Sequence, residues 1–120
     1  MSVVAAVIVA LVALLHIYFL VLEMFLWTTP RGLKTFGNTP EKARDSAVLA
    51  ANQGLYNGFL AAGLIWGLVQ SDPGFAFQIK VFFLLCVIVA GLYGGYSAKP
   101  TIIYVQALPA VIALVLLWLS

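Results

Sequence analysis

Apolar residues fill four long stretches of this chain, and short polar segments separate them. The stretches run from about Val3 to Trp27, Ala47 to Val69, Phe77 to Ser97 and Thr101 to Leu119. An α-helix of about 20 apolar residues crosses the hydrocarbon core of a bilayer, and each stretch has that length or nearly so. The pattern predicts an all-α membrane protein, a bundle of four transmembrane helices in which residues 1–120 form a single membrane domain.

Turn-forming residues mark where the predicted spans end. Pro30 and Gly32 in TTPRG follow the first span, and QSDPG and AKP follow the second and the third. The one sizeable polar loop, at about residues 28–46, contains Thr39-Pro40, which is typical of an N-cap followed by proline at the first helical position. We expect a short surface helix there, and a kink or local opening of the fourth span at Pro109.

The composition strengthens the membrane interpretation. Hydrophobic residues make up 64% of the chain, charged residues make up 8%, and the mean hydropathy is +1.11. A soluble domain of this size could not cover its surface with so few charges. The net charge of +2, without a basic stripe, argues against binding of nucleic acid. The single cysteine, Cys86, excludes an intrachain disulfide and a cysteine-based metal site. The N-terminal stretch lacks the positive leader of a signal peptide, so we interpret it as a retained first span.

The basic residues predict the orientation of the spans. Four of them lie in the first loop: Arg31, Lys34, Lys42 and Arg44. Lys99 would lie on the same side and Lys80 on the opposite side, where we expect its long side chain to snorkel to the interface. Cytoplasmic loops carry the excess of positive charge. We therefore expect the first loop to be cytoplasmic and both termini to face outward from a bacterial inner membrane.

Polar side chains gather in the cytoplasmic half of the predicted bundle. On the first span, His16 lies near the midplane and Glu23 near the cytoplasmic end, and their spacing of seven residues places them on one helix face. The depths counted from the helix ends match His16 with Asn57 and place Glu23 at the level of polar residues from three other spans. The complete set of candidates is His16, Glu23, Asn52, Gln53, Tyr56, Asn57, Tyr93 and Gln106.

Charged and strongly polar residues inside a membrane are costly and are often functional, so this cluster predicts a site for a small amphipathic molecule. His16 or Glu23 would be the catalytic acid or base, and Asn52, Gln53, Tyr56, Asn57, Tyr93 and Gln106 would bind the ligand. A purely structural alternative stays open, in which His16 forms a hydrogen bond across helices and Glu23 pairs with Arg31 or Lys34. Haem or a metal held through His16 is also conceivable, although one histidine and one carboxylate do not complete a site.

Two further function classes stay open. One is a proton-coupled exporter of the size and span number of the small multidrug resistance family, although Glu23 lies near the cytoplasmic end and the charge bias disfavours an antiparallel dimer. The other is an accessory subunit that only holds partners together. A stripe of small residues, Ala50, Gly54, Gly58 and Ala62, allows a neighbouring backbone to approach closely, inside the subunit or between subunits. We predict a parallel homo-oligomer.

Two segments resemble a known family. They are H-x6-E-M-F-L-W-T-T-P-R-G at residues 16–32 and L-A-A-N-Q-G-L-Y-N-G-F-L-A-A-G-L at residues 49–64. Together they are similar to a bacterial family of small membrane proteins catalogued as domain of unknown function 1304, and the resemblance covers essentially the whole chain. It implies four transmembrane helices and implies no particular activity.

The orientation can be tested with introduced cysteines. We expect cysteines at Thr35 and Lys99 to resist an impermeant thiol reagent in intact cells, because both positions are predicted to be cytoplasmic. A cysteine at Asp72 should react. The parent chain, which retains Cys86, provides the background, and the opposite labelling pattern would overturn the orientation.

Overall fold

The computed structural model describes residues 2–120, and no strand occurs in this range. The predicted all-α class is therefore confirmed. A π-helical turn, Ile103–Ala107, directly precedes the last helix. The α-helices are α1 Val3–Met24, α2 Pro30–Phe36, α3 Pro40–Asp45, α4 Ala47–Val69, α5 Pro73–Ser97 and α6 Leu108–Leu119.

Two of these helices, α1 and α5, are long and apolar enough to cross a membrane. The apolar segment Ile103–Leu119 is helical but shorter. The fourth helix, α4, has 23 residues, but Asn52, Gln53 and Asn57 make its first half polar. Length and composition in the described residues thus support membrane association through two helices.

The chain forms two compact units. The first, called here the core unit, comprises residues 2–14 and Leu60–Ser120, and the second, called the loop unit, comprises Leu15–Phe59. In the core unit, α5 and α6 pack with the beginning of α1 and the second half of α4. The buried residues of this cluster are Val9, Val12, Ala13, Leu64, Leu84, Val87, Ala110, Ala113 and Leu117.

The π-helical turn confirms the prediction that Pro109 opens the last helix locally. Proline lacks a backbone N–H and its ring disturbs the preceding turn of an α-helix. Just before it, the N–H of Leu108 donates to the carbonyl oxygen of Ile103, five residues earlier. Gly91 on α5 lies directly against this region, because a Cβ there would lie 2.6 Å from the backbone nitrogen of Ala107. The widened turn is therefore packed closely against α5.

The loop unit contains more helix than the sequence indicated. The first helix ends at Met24, three residues before the expected end, and α2 begins at Pro30 within the segment that was expected to be a loop. Thr29 caps α2, since its Oγ1 accepts the N–H of Gly32 at 3.3 Å. Pro30 therefore starts a helix as well as ending one, because proline is well suited to the first helical position.

The other two cap signals have different outcomes. The short helix expected at Thr39-Pro40 is confirmed as α3, with Thr39 Oγ1 accepting the N–H of Lys42 at 3.2 Å. Asp72-Pro73, which was interpreted as a turn, is instead the start of α5. The Asp72 carboxylate caps this helix by accepting the N–H of Phe75 at 2.8 Å. The fifth helix therefore begins four residues before the expected Phe77.

The segment between α1 and α2 is tightly folded. The indole Nε1 of Trp27 donates to Ser46 Oγ at 3.1 Å, and its ring lies 4.8 Å from the ring of Phe36. Gly32 is buried, and a Cβ at this position would lie 2.9 Å from the carbonyl oxygen of Trp27. Only glycine allows this approach without displacement of the backbone. WTTPRG is therefore a packed corner of the loop unit.

Two members of the small-residue stripe on α4, Gly54 and Gly58, pack against α1 inside the loop unit. A Cβ on Gly54 would lie 2.7 Å from Met24 Cγ and 3.2 Å from the carbonyl oxygen of Leu20. A Cβ on Gly58 would lie 2.7 Å from Leu20 Cδ1. Because the later residue on α4 meets the earlier residue on α1, the two helices are antiparallel here. Ala62, the last member of the stripe, is exposed.

Leucine substitutions along the stripe test this arrangement. We expect Gly54→Leu to lower the free energy of unfolding by about 1–3 kcal/mol, because the added side chain would overlap Met24. Ala62→Leu, on the exposed end of the same stripe, should leave stability unchanged. Thermal unfolding in mild detergent measures both effects. Equal losses for the two variants would show that the stripe does not act through α1.

Candidate functional site

A hydrogen bond between α1 and α4 is the centre of the candidate site. Asn57 Nδ2 donates to Glu23 Oε1 at 2.5 Å. Glu23 lies in the last turn of α1, and Asn57 lies near the middle of α4. Both side chains are half-buried. Gly54, almost one turn before Asn57, allows the close helix approach that brings the amide within reach of the carboxylate.

Asn57 was expected to lie at the depth of His16, and the structure corrects this pairing. Gly54 of α4 lies beside Met24, the last residue of α1. The residues of α4 that come before Gly54 therefore extend past the end of α1. Depth counted from the start of α4 therefore places Asn57 about two helical turns too deep. Its helix register brings it to Glu23.

His16 is completely buried and lies two turns before Glu23 on α1. Its ring packs edge-on against Phe19, with 5.4 Å between the ring centroids. In the described part of the chain, every buried side-chain nitrogen and oxygen has a hydrogen-bond partner. His16 is therefore a packed polar residue on the same stretch of helix as Glu23.

Three of the predicted ligand-binding residues face away from this centre. Asn52 is exposed, and its Nδ2 donates to the carbonyl oxygen of Val48 at 3.0 Å within α4. Gln53 and Tyr56 are exposed as well, and the ring of Tyr56 lies 5.9 Å from that of Phe59. These side chains form an exposed polar surface on the first half of α4.

Tyr93 and Gln106 belong to the core unit. Tyr93 is 69% exposed on α5, and Gln106 is half-buried in the π-helical turn. They were grouped with Glu23 only because the depth in the membrane, counted from the predicted helix ends, was similar. Within the loop unit, the residues that the fold brings together are Glu23 and Asn57.

A second polar contact of the loop unit was missed in the sequence. Arg31 Nη2 donates to Tyr18 Oη at 2.8 Å, and the guanidinium carbon lies 5.6 Å from the centre of the tyrosine ring. Arg31 had been considered as a partner of Glu23. The available signal was an arginine directly after a proline corner, which turns the chain back toward the preceding helix. The contact ties α2 to α1 within the loop unit.

The pair can do limited but definite chemistry. An amide carries no net charge, so Glu23 can still gain or lose a proton while Asn57 orients one of its oxygens. The carboxyl group has further acceptor capacity for a ligand hydroxyl, amine or amide. Within residues 2–120, no group of three or more histidine, cysteine, aspartate or glutamate side chains is arranged to hold a metal ion. Among these described residues, His16 therefore belongs to no such group.

Comparisons with known proteins agree with the resemblance noted in the sequence. The family model described as Protein of unknown function (DUF1304) matches residues 10–118, and the chain belongs to this family. Uncharacterized protein YpaA of Lactococcus lactis subsp. lactis (strain IL1403) is 31% identical over 117 residues, which cover 96% of this chain and 97% of that protein. No solved structure matches the chain.

Two asparagine-to-leucine substitutions on α4 test the hydrogen bond. We expect Asn57→Leu to cost roughly 1–2 kcal/mol of unfolding free energy, because it leaves a half-buried carboxylate without its donor. Asn52→Leu removes an exposed amide whose bond lies within α4, and should change the unfolding free energy of a single protomer by less than about 0.5 kcal/mol.

The double variant Glu23→Leu/Asn57→Leu completes the comparison. It should be less destabilised than the sum of its two single variants, because contacting residues are energetically coupled. Thermal or denaturant unfolding in mild detergent provides the values. Additive effects, or equal losses at Asn52 and Asn57, would show that the bond contributes nothing measurable.

Proposed function

We propose that this member of the DUF1304 family is a multi-pass protein of the bacterial inner membrane that binds a small amphipathic molecule on the cytoplasmic side. The binding site is centred on Glu23 and Asn57, and His16 lies behind them on α1. The observation that carries the proposal is the 2.5 Å hydrogen bond between Asn57 and Glu23, which joins two helices of a predominantly apolar chain.

Surface chemistry supports the membrane location. Large apolar side chains are exposed along α1, including Val7, Leu11 and Leu14, and along α5, including Phe82 and Val89. Soluble monomers rarely expose continuous apolar surface of this extent, whereas lipid solvates it without cost. In the proposed arrangement α1, α4, α5 and the segment Ile103–Leu119 are the four spans. The basic loop faces the cytoplasm, and both termini face outward.

The proposed ligand carries a hydrogen-bond donor. Asn57 fixes one oxygen of Glu23, and the remaining acceptor positions of the carboxyl group receive a hydroxyl, amine or amide of the ligand. The apolar part of the molecule lies along the helices in the cytoplasmic leaflet. If the bound molecule is also transformed, Glu23 or His16 supplies the acid or base.

The exposed polar surface of α4 supports an oligomer. Asn52, Gln53 and Tyr56 would face lipid in a monomer, where unsatisfied polar groups are costly. In a parallel homo-oligomer they meet a second copy or extend the ligand site. This assembly does not require the stripe at Gly54, which is already occupied by α1.

A proton-coupled exporter is the second candidate. It is favoured by the same carboxyl group, because a glutamate bonded to an uncharged amide can exchange protons during transport. In that case Glu23 would bind the proton and the substrate in alternation. A purely accessory subunit is the third possibility, in which the pair only holds helices together.

Two glutamate-to-glutamine substitutions distinguish these functions. We expect wild-type protein purified in mild detergent to retain a small molecule that mass spectrometry detects. Glu23→Gln should reduce this retention by roughly ten- to a hundredfold, the loss expected for one hydrogen bond to a charged group. Glu41→Gln, at an exposed position of α3, is the matched control and should retain the molecule normally.

Further measurements on the same variants separate the alternatives. Turnover in detergent without a proton gradient indicates an enzyme. Efflux from energised vesicles that is lost in Glu23→Gln indicates an exporter. Altered assembly alone, with no bound molecule in either protein, would contradict the proposed site and leave the accessory role.

A further inference from the structure

A cavity of about 260 Å³ lies in the core unit, where the end of α4, the start of α5 and the end of α6 meet. Its polar lining residues include Gln70 and Ser71, in the turn between α4 and α5. Its apolar lining residues include Phe77, Leu117 and Trp118. Ligand sites in proteins commonly combine a mainly apolar wall with a few polar groups that fix orientation.

Lys80 also lines this cavity, and its burial was not expected. The sequence placed Lys80 near a membrane surface, with its ammonium group snorkelling toward water. The residue is in fact only 3% exposed. Lysine is almost never buried to this extent unless oxygen atoms surround its charge. The structure therefore places a cationic side chain at the wall of a partly open cavity.

Gly67 makes this position possible. A Cβ at residue 67 would lie 2.5 Å from Lys80 Cγ. The stem of Lys80 therefore occupies the space that the side chain of any residue other than glycine would need at position 67. Asp72, in the turn before α5, uses its carboxylate to cap this helix through the N–H of Phe75. The fold thus directs a lysine stem past α4 toward the cavity.

We propose that this cavity binds the anionic headgroup of an amphiphile, a phosphate or carboxylate held by Lys80. An ammonium group has three donors, so a ligand oxygen can share it with oxygens of the protein. The first part of the ligand's apolar tail lies on Phe77 and Trp118, whose rings are 5.6 Å apart. Given the proposed orientation, the site opens to the outer leaflet.

This site is independent of the one centred on Glu23. Its residues all belong to the core unit, and those of the Glu23 site belong to the loop unit. Loss of one binding activity therefore does not entail loss of the other. The two sites also select opposite chemistry, since Glu23 accepts hydrogen bonds and Lys80 donates them.

Lipid exchange into nanodiscs tests the proposal with defined probes. Wild-type protein is placed in phosphatidylcholine alone, in phosphatidylcholine with phosphatidylglycerol, or in phosphatidylcholine with millimolar inorganic phosphate. Native mass spectrometry after release measures retained lipid, and thermal unfolding measures stabilisation. We expect retention of phosphatidylglycerol over phosphatidylcholine by about tenfold, because both lipids offer a phosphate to Lys80 but the choline cation of phosphatidylcholine is repelled by the lysine.

Variants connect the preference to the cavity. Lys80→Met keeps the length of the stem but removes the charge, and should abolish the preference for phosphatidylglycerol. Lys99→Met, at an exposed lysine outside the cavity, should preserve it. If Lys80→Met does not fold, Trp118→Ala serves instead, because Trp118 is an exposed residue near the chain end and its loss removes part of the apolar wall.

The outcomes distinguish a bound lipid headgroup, a bound free anion and the absence of an anion site. Stabilisation by phosphatidylglycerol that weakens in Trp118→Ala identifies a lipid headgroup. Stabilisation by inorganic phosphate that persists in Trp118→Ala identifies a free anion at the same lysine. If the wild-type protein shows neither effect, or if Lys80→Met folds and retains phosphatidylglycerol normally, the proposal is wrong.

Discussion

The contact of α1 with α4 at Gly54 is the constraint on which the candidate site depends. Without a side chain at Gly54, the backbone of α4 lies directly beside Leu20 and Met24. This approach sets the register that brings Asn57 to Glu23. A carboxylate on an apolar helix is costly to bury unless another group donates to it. The two residues therefore act together: Gly54 allows the helices to approach, and Asn57 donates a hydrogen bond to the carboxylate of Glu23.

A similar pairing of a glycine with a charged residue occurs in the core unit. Gly67, also on α4, accommodates the stem of Lys80 from α5. In both units a glycine on α4 lies beside a charged residue of a neighbouring helix, and the charged residue is removed at least partly from solvent. Small residues on apolar helices are usually discussed as sites of backbone packing. Here they also determine which charged side chains can be held inside.

Local capping chemistry explains much of the remaining architecture. Thr29, Thr39 and Asp72 each precede a proline, and each caps a helix through its side-chain oxygen. Only the signal at Thr39 was interpreted as a helix start from the sequence. At Thr29 and Asp72 the same dipeptide chemistry also fits a turn, and the apolar pattern on either side does not distinguish them. Tertiary packing makes the distinction, because Trp27 and Gly32 pack the corner before α2, and Ala76, Ile79 and Lys80 bury one face of α5.

The sequence by itself determined the all-helical class, the family, the cap at Thr39 and the disturbance at Pro109. These follow from composition, from short motifs and from the covalent chemistry of proline, none of which requires knowledge of neighbouring helices. It also identified Glu23 and Asn57 as residues whose polarity is out of place in apolar helices. The tertiary structure alone decided that these two residues pair, that Asn52, Gln53 and Tyr56 face outward, and that Lys80 is buried. Helix register and the space beside a glycine decide such contacts, and both depend on where a second helix lies.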